Sequence, residues 1–371
     1  IFSSQIEQSE INRFTNGTKI YKGFSKATQI MTGTEKNIPT ELQRTAIIGS
    51  GTWATAIAKI LNENAVEFSW WIREDKIAKS LQQRGRNPLY LSSVKLSMNT
   101  IHVSNDLNEV IENSDNIILV LPSAYISSTF KTIEPQKLKG KKVIIASKGI
   151  VAETQQLISD YFKSRFALTD KDIAVICGAS HAEEIAQGRI TFLTIATEEE
   201  SFALKIKELF NSPYVKLTTN QDMIGLEYAV TLKNIYALGA GIYIGLGNGD
   251  NLIATYMANC IREMRYFFEQ IHPETLPHLA ESSYIGDLLV TAYSQHSRNR
   301  TFGHLIGKGV SISVAHLELK MVAEGYYACA CIQKLIDEKG IVMPIVESVY
   351  KVLYQDYNVT ETMQALLETF R

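Results

Sequence analysis

The stretch Thr45-Ala46-Ile47-Ile48-Gly49-Ser50-Gly51-Thr52-Trp53-Ala54-Thr55-Ala56-Ile57-Ala58-Lys59-Ile60 decides the fold class. Its first four residues are a short apolar strand. Gly49-Ser50-Gly51 then turns the chain into an apolar helix that runs to about Leu61. The spacing is G-x-G-x-x-A between a strand and a helix, where a dinucleotide-binding turn requires it. Gly49 makes the tight turn, and Gly51, without a Cβ, lets a pyrophosphate approach the backbone. Ala54 is small enough for helix to pack on strand. The helix start then offers unpaired N–H groups and a partial positive charge to phosphate oxygens. Taken alone, the motif also fits a glycine-rich turn of another α/β protein.

The rest of the composition narrows the class. A chain of 371 residues suggests two domains, and 45% hydrophobic with 20% charged residues is ordinary for globular protein. The net charge of -2 gives no electrostatic basis for binding nucleic acid or a membrane surface. An anionic ligand must therefore be held by a local basic cluster. Cys177, Cys260, Cys329 and Cys331 lack metal-ligand spacing, which predicts reduced, mostly buried thiols in a cytoplasmic protein and no metal. His181 and His296 have no second ligand at a fixed offset.

Residues 1–43 are polar, without sustained periodicity and without the apolar run of a signal peptide. They are expected to be poorly ordered or a non-native extension, with Met31 a plausible start. Downstream, Glu67–Arg73 reads as the second strand. It ends where an acidic residue would meet a ribose 2′-hydroxyl, yet the position holds Arg73. An arginine there accepts a 2′-phosphate, so the cofactor is NAD or NADP; an exposed strand-end arginine is the other reading. Strands follow at 101–103, 116–121, 142–146, 173–177, 191–196 and 214–218. The continuous apolar runs fit a parallel sheet covered on both faces. Pro122-Ser123 and Ser147-Lys148-Gly149 close two of these strands at their carboxyl ends, where doubly wound folds bind ligands.

After Asn220 the strand signal fades. Residues 224–241 are almost uniformly apolar, but Glu227, Lys233 and several glycines favour a buried core helix over a membrane span. Helical patterns continue at 254–271, 314–335, 344–354 and 360–370. The expected organisation is a dinucleotide-binding α/β domain over 44–229 and an all-α substrate domain over 230–371. Ser297-Arg298-Asn299-Arg300 places two guanidinium groups, a hydroxyl and an amide at a helix start, a group suited to a phosphate; a solvated charged turn is the alternative.

Several short stretches, in order, carry a family resemblance. They are Gly49-Ser50-Gly51-Thr52-Trp53, Asn87-Pro88-Leu89-Tyr90-Leu91, Pro122-Ser123, Ser147-Lys148-Gly149 and Leu232-Lys233-Asn234, then Gly286-Asp287-Leu288, Ser297-Arg298-Asn299-Arg300 with Phe302-Gly303, and Val322-Ala323-Glu324-Gly325. From about Thr45 to Arg371 the chain resembles the NAD(P)-dependent glycerol-3-phosphate dehydrogenases of the bacterial type. The resemblance implies a Rossmann-like domain with a parallel doubly wound sheet, followed by an all-α domain of the 6-phosphogluconate dehydrogenase-like kind. The departures are Gly178-Ala179-Ser180-His181-Ala182-Glu183, Ala54 as third fingerprint position, and Asn248.

The implied reaction is reduction of dihydroxyacetone phosphate to sn-glycerol 3-phosphate, or its reverse, feeding glycerophospholipid synthesis. The implied assembly is a cytoplasmic homodimer. Lys233 is the candidate acid/base, because desolvation on an apolar helix lowers a lysine pKa toward working pH. A lysine reaching out of the core, or pairing with Glu227, is the structural alternative. By resemblance Asp287, read as a turn residue between helical segments, orients the lysine, and Lys148 joins both in the catalytic group. Lys148, Gly178, Ser180, Asn234, Thr291, Ser297, Arg298 and Asn299 complete the substrate site with Lys233 and Asp287. Gly49, Ser50, Gly51, Thr52, Trp53, Arg73, Pro122, Lys148, Ala182, Arg298, Val322 and Glu324 line the cofactor. Two other readings fit the architecture: a dehydrogenase for another small hydroxy acid or phosphosugar, and a nucleotide sensor without catalysis.

Overall fold

The structure, a computed structural model, describes residues 44–319 and 323–371. The expectation for residues 1–43 and the assignment of Val322 lie outside the described residues. Among the described residues ten strands are present: β1 (Thr45–Ile48), β2 (Phe68–Trp71), β3 (Ile101–Ser104), β4 (Asn116–Leu119), β5 (Lys142–Ile145), β6 (Ile150–Val151), β7 (Gln156–Leu157), β8 (Ile173–Cys177), β9 (Thr191–Ala196) and β10 (Val215–Asn220). The helices of the α/β half are α1 (Thr52–Glu63), α2 (Asp75–Arg84), α3 (Leu107–Glu112), α4 (Ile126–Phe130), α5 (Ile158–Phe166), α6 (Ala182–Ala186) and α7 (Glu200–Leu209). The helical half comprises α8 (Met223–Gly245), α9 (Asp250–Ile271), α10 (Asp287–Tyr293), α11 (Arg298–Gly307), α12 (Ile312–Leu319), α13 (Glu324–Lys339), α14 (Pro344–Tyr354) and α15 (Val359–Leu367).

Eight strands form one sheet in the order β10-β9-β8-β5-β4-β1-β2-β3. From β3 to β8 the pairings are parallel, and the winding reverses between β1 and β4. That reversal opens a crevice at the carboxyl ends of β1 and β4, the usual ligand position in such sheets. Alternation along the strands divides the apolar side chains between two layers. Ile47, Trp70, Ile118 and Ile144 pack on one face with Ile57 of α1. Ala46, Ile48, Ile117, Leu119 and Val143 face the other way, into a core continuous with Leu232, Tyr236 and Phe267 of the helical half. Each such aliphatic side chain stabilises by about 1.5–3 kcal/mol on burial.

The sheet departs from the all-parallel expectation at one edge. β9 runs antiparallel to β8, and β10 follows β9 in parallel. The only helix between β8 and β9 is α6, of five residues. At 1.5 Å per residue it is too short to carry the chain back along a strand, so β9 starts from the end at which β8 stops. The expected single helix over 314–335 is also replaced. Ala323 is extended (φ -89°, ψ 99°), and α13 starts at Glu324 after it.

α8 is the axis of the helical half, with 20 of its 23 residues buried. It packs on α11 through backbone rather than side chains. A Cβ on Gly303 would lie 1.9 Å from the Leu238 carbonyl oxygen, and one on Gly241 would lie 2.1 Å from that of Arg300. Only glycine permits this approach, and it sets the residues of the α8 centre directly against the start of α11. Among the described residues, no helix is long and apolar enough to cross a membrane. The four cysteines are free and buried.

Candidate active site

The site begins at the glycine turn. Gly49 has φ +132°, a backbone region that side chains disfavour, and a Cβ there would lie 2.4 Å from the Val120 carbonyl oxygen. The turn is therefore pressed onto the end of β4, next to Leu121-Pro122-Ser123. The Trp70 indole N–H donates to the Gly49 carbonyl at 2.6 Å. Fully buried Asn87 donates to the Ser50 carbonyl at 2.9 Å and to Thr55 Oγ1 at 3.0 Å, while its Oδ1 accepts from the amides of Leu89 and Tyr90. A Cβ on Gly51, in contrast, would meet nothing within 4 Å. The outer side of the turn is thus open, and the first N–H groups of α1 follow it. Trp53 carries a buried indole nitrogen without a partner among the described residues. An open backbone cradle and an unpartnered donor at a helix start fit the pyrophosphate half of a dinucleotide.

At the far end of the crevice lies the buried ion pair of Lys233 and Asp287, with side chains 2% and 1% exposed. Asp287 begins α10 and is buried. This corrects its reading as a turn residue, and the π turn Ser282–Gly286 before it aims the carboxylate inward. Burial pulls the Lys233 pKa down to about 7; Asp287 opposes this and the nearby Lys148 ammonium adds to it. The alternative pairing with Glu227 does not occur. That carboxylate accepts from the Ser159 amide at 3.1 Å and so satisfies the start of α5. Thr291, one turn on, donates to the Asp287 carbonyl at 2.6 Å. The second oxygen of Asp287 has no partner among the described residues.

A polar relay joins three elements beside this pair. The Gly325 amide donates to Asn299 Oδ1 at 2.9 Å, and Asn299 Nδ2 donates to Asn234 Oδ1 at 2.9 Å. Asn234 Nδ2 is left buried without a partner among the described residues, on the residue next to Lys233. Buried N–H groups of this kind cost about 1–3 kcal/mol unless a ligand meets them. Gly325 is required by space, since a Cβ would sit 2.5 Å from the Asn234 carbonyl oxygen. Ser297 caps α11, its Oγ accepting from the Arg300 amide at 3.3 Å, and its hydroxyl hydrogen stays available to donate. Arg298 is exposed at the same helix start.

Glu324 ties the two halves together. Ser123 donates to its carboxylate at 2.8 Å, and a Cβ on Gly149 would touch both. Its surroundings push the Glu324 pKa up to about 7 by desolvation, against the pull of Ser123, Arg298 and Lys148. Gly178 (φ +145°) packs against the Phe192 carbonyl, with Ser180 Oγ donating to the Gly178 carbonyl at 3.0 Å. His181 lies 3.4 Å from the Val290 carbonyl, and desolvation lowers its pKa. Ala182, the first residue of α6, is buried. Thus Lys148, Gly178, Ser180, Lys233, Asn234, Asp287, Thr291, Asn299 and Glu324 converge from both halves. Gly49, Ser50, Gly51, Thr52, Trp53 and Pro122 form the neighbouring end of the crevice. Arg73 stands at its outer rim.

Several residues of this site escaped the sequence reading of roles: Ser123, Asn87, Gly325 and Glu74. The first three lie in stretches that carry the family resemblance, and their partners are far away in the chain. Glu74 follows Arg73 and accepts from Ser50 Oγ at 2.7 Å.

A doubly wound sheet with an open glycine turn, joined to a helix carrying a buried lysine of lowered pKa, defines an NAD(P)-dependent oxidoreductase. Comparison with known proteins sharpens the class. The N-terminus of the NAD-dependent glycerol-3-phosphate dehydrogenases matches residues 44–203, and the C-terminus of the same family matches 222–364. The chain belongs to this family. It is 35% identical over 323 residues to the glycerol-3-phosphate dehydrogenase [NAD(P)+] of Moorella thermoacetica, covering 87% of this chain and 95% of that protein. The enzyme of the same name from Agathobacter rectalis is 34% identical over 328 residues, 88% and 96% of the two chains. The crystal structure of glycerol-3-phosphate dehydrogenase from Coxiella burnetii superposes with a TM-score of 0.81 at 27% identity, covering 87% of this chain and 98% of that one.

Proposed function

We propose that this chain reduces the ketone of dihydroxyacetone phosphate to sn-glycerol 3-phosphate, with Lys233 supplying the proton, and that the reaction runs in reverse under opposite supply. In this reading residues 44–229 hold the dinucleotide and 230–371 the substrate. A bound reduced nicotinamide supplies the hydride to the carbonyl carbon. The Lys233 ammonium gives its proton to the carbonyl oxygen as that carbon becomes tetrahedral, leaving a neutral amine. A pKa near 7 suits both the donation and the later reprotonation. Asp287 holds the ammonium in one direction, and its free oxygen accepts from a substrate hydroxyl. Lys148 and the Asn234 amide stabilise charge on the carbonyl oxygen. Arg298 grips the phosphate by its guanidinium, with Ser297 and Asn299 as further donors at the start of α11.

The observation that carries this reading is the buried Lys233–Asp287 pair beside Lys148, at the carboxyl edge of a dinucleotide-binding sheet. A nucleotide sensor without catalysis would not need a buried lysine–carboxylate pair with a second lysine beside it. Part of the same reading is a cytoplasmic homodimer whose product enters glycerophospholipid synthesis, supported by membership of the family. The test mixes the full chain with dihydroxyacetone phosphate and follows NADH and NADPH absorbance, with chiral identification of the product. Nucleotide binding without oxidation would refute the proposed substrate.

A further inference from the structure

The outer rim of the crevice holds a carboxylate that the reaction described above does not use. Glu74 directly follows the exposed Arg73 after β2. β1 and β2 are parallel neighbours with Ile48 opposite Trp71, and the Gly49 amide donates to the Trp71 carbonyl at 3.3 Å. The glycine turn and the end of β2 are therefore side by side. Glu74 bridges them. One oxygen accepts from Ser50 Oγ, the middle residue of the turn, at 2.7 Å, and the other accepts from Arg73 Nη2 at 3.1 Å. The Arg73 guanidinium also lies 5.8 Å from the ring centroid of Tyr125. The arginine is thus occupied by a neighbouring carboxylate and an aromatic face, and the carboxylate is fastened to the phosphate-binding turn.

We infer that Glu74 makes this chain selective for NAD over NADP, with Arg73 acting as its partner rather than as a phosphate receptor. The inference rests on the placement of a dinucleotide over the Gly49–Gly51 turn. With the pyrophosphate there, the adenine ribose meets the end of β2. A carboxylate at that point accepts from a 2′-hydroxyl. It repels a 2′-phosphate, which carries between one and two negative charges near neutral pH. The nearby Arg73 does not reverse this, because its guanidinium is engaged by Glu74 at 3.1 Å and lies near the Tyr125 ring. Ser50 adds precision: its hydroxyl hydrogen is committed to Glu74, so the carboxylate keeps one position across the rim.

The test is direct binding of NADH and NADPH to the full-length wild-type chain and to Glu74→Gln, Glu74→Ala and Arg73→Ala, read by nicotinamide fluorescence and calorimetry. The wild type is expected to bind NADH at least about tenfold more tightly than NADPH. Glu74→Gln and Glu74→Ala should tighten NADPH about tenfold and weaken NADH a few-fold, closing the gap. Arg73→Ala should leave the preference for NADH in place. Equal or tighter binding of NADPH by the wild type would overturn the inference. So would an unchanged ratio in both Glu74 variants, or a loss of NADPH binding specific to Arg73→Ala. If neither nucleotide bound the wild type, the placement over the turn would fall, and the inference with it.

Discussion

The two ends of the crevice are built on opposite plans. The glycine turn is one contiguous run, Gly49 to Trp53, whose partly exposed outer side offers backbone N–H groups. The lysine end draws Lys148, Lys233, Asn234, Asp287, Asn299 and Glu324 from separate strand ends and helices. It holds buried charge, and the pKa values of Lys233 and Glu324 are displaced to about 7. Under the proposed function the difference follows from two tasks. Binding a pyrophosphate needs donors at fixed spacing, which local backbone geometry supplies. Moving a proton needs a group poised between two protonation states, which requires desolvation and therefore long-range packing.

This contrast can be broken most forcefully at Lys233. Lys233→Met should lower kcat by about 10²–10⁴-fold while the nucleotide Kd stays near wild type. Removing one partner of a buried pair also destabilises by about 3–5 kcal/mol, because Asp287 is left uncompensated. The double variant Lys233→Met with Asp287→Leu should therefore recover stability in a denaturant titration without recovering turnover. Recovered turnover would show that the pair serves architecture alone.

The next effect is titration of the same lysine. If Lys233 is the proton donor proposed above, reduction needs the ammonium, so kcat for ketone reduction should fall about tenfold per pH unit above about 7, and oxidation of the alcohol should rise toward a plateau. The folding contribution has the opposite sign. The folded pKa lies below the ordinary 10.5, so between about 7 and 10.5 the unfolded chain binds more protons. In that window this lysine's contribution to stability rises with pH. Nucleotide affinity at the glycine turn should not follow either curve. A pH profile of Kd parallel to that of kcat would merge the two ends into one titrating unit.

At the turn itself the effects are smaller and fall on binding. Gly49→Ala forces a Cβ to within 2.4 Å of the Val120 carbonyl at φ +132°, and should weaken nucleotide binding by tens of fold with kcat at saturation largely kept. Asn87→Ala removes the side chain that braces Ser50 and the Leu89–Tyr90 amides. It should raise the nucleotide Kd several-fold and cost about 1–3 kcal/mol of stability.

What could be read in the sequence divides along the same line. The turn, the apolar helix with Lys233 and the cluster at Ser297–Arg300 are contiguous, so spacing alone exposes them. The relay from Gly325 through Asn299 to Asn234 joins residues 26 and 65 positions apart. No local pattern encodes that. The reversal of β9 was hidden because a buried strand has the same composition in either direction. Glu74 lies one residue past the position that the spacing assigns to the ribose, and the bond from Ser50 marks it. In the sequence Asp287 reads as a turn residue because Gly286 precedes it; its burial comes from the packing of α10 against α8.

The backbone contact between α8 and α11 has a consequence for how substrate choice can change. Lys233 and Asn234 ride on one helix and Arg298 and Asn299 on the other, and Gly241 and Gly303 hold the two axes where no smaller residue could bring them closer. In the proposed reading, the span from Lys233 to Arg298 is therefore a ruler of nearly fixed length, set by this backbone contact and by the bond between Asn299 and Asn234. A ketone one carbon longer or shorter cannot be accommodated by adjusting this ruler. Selection for such a substrate should alter the opposite wall, at Gly178–His181, and leave the glycines of both helices untouched.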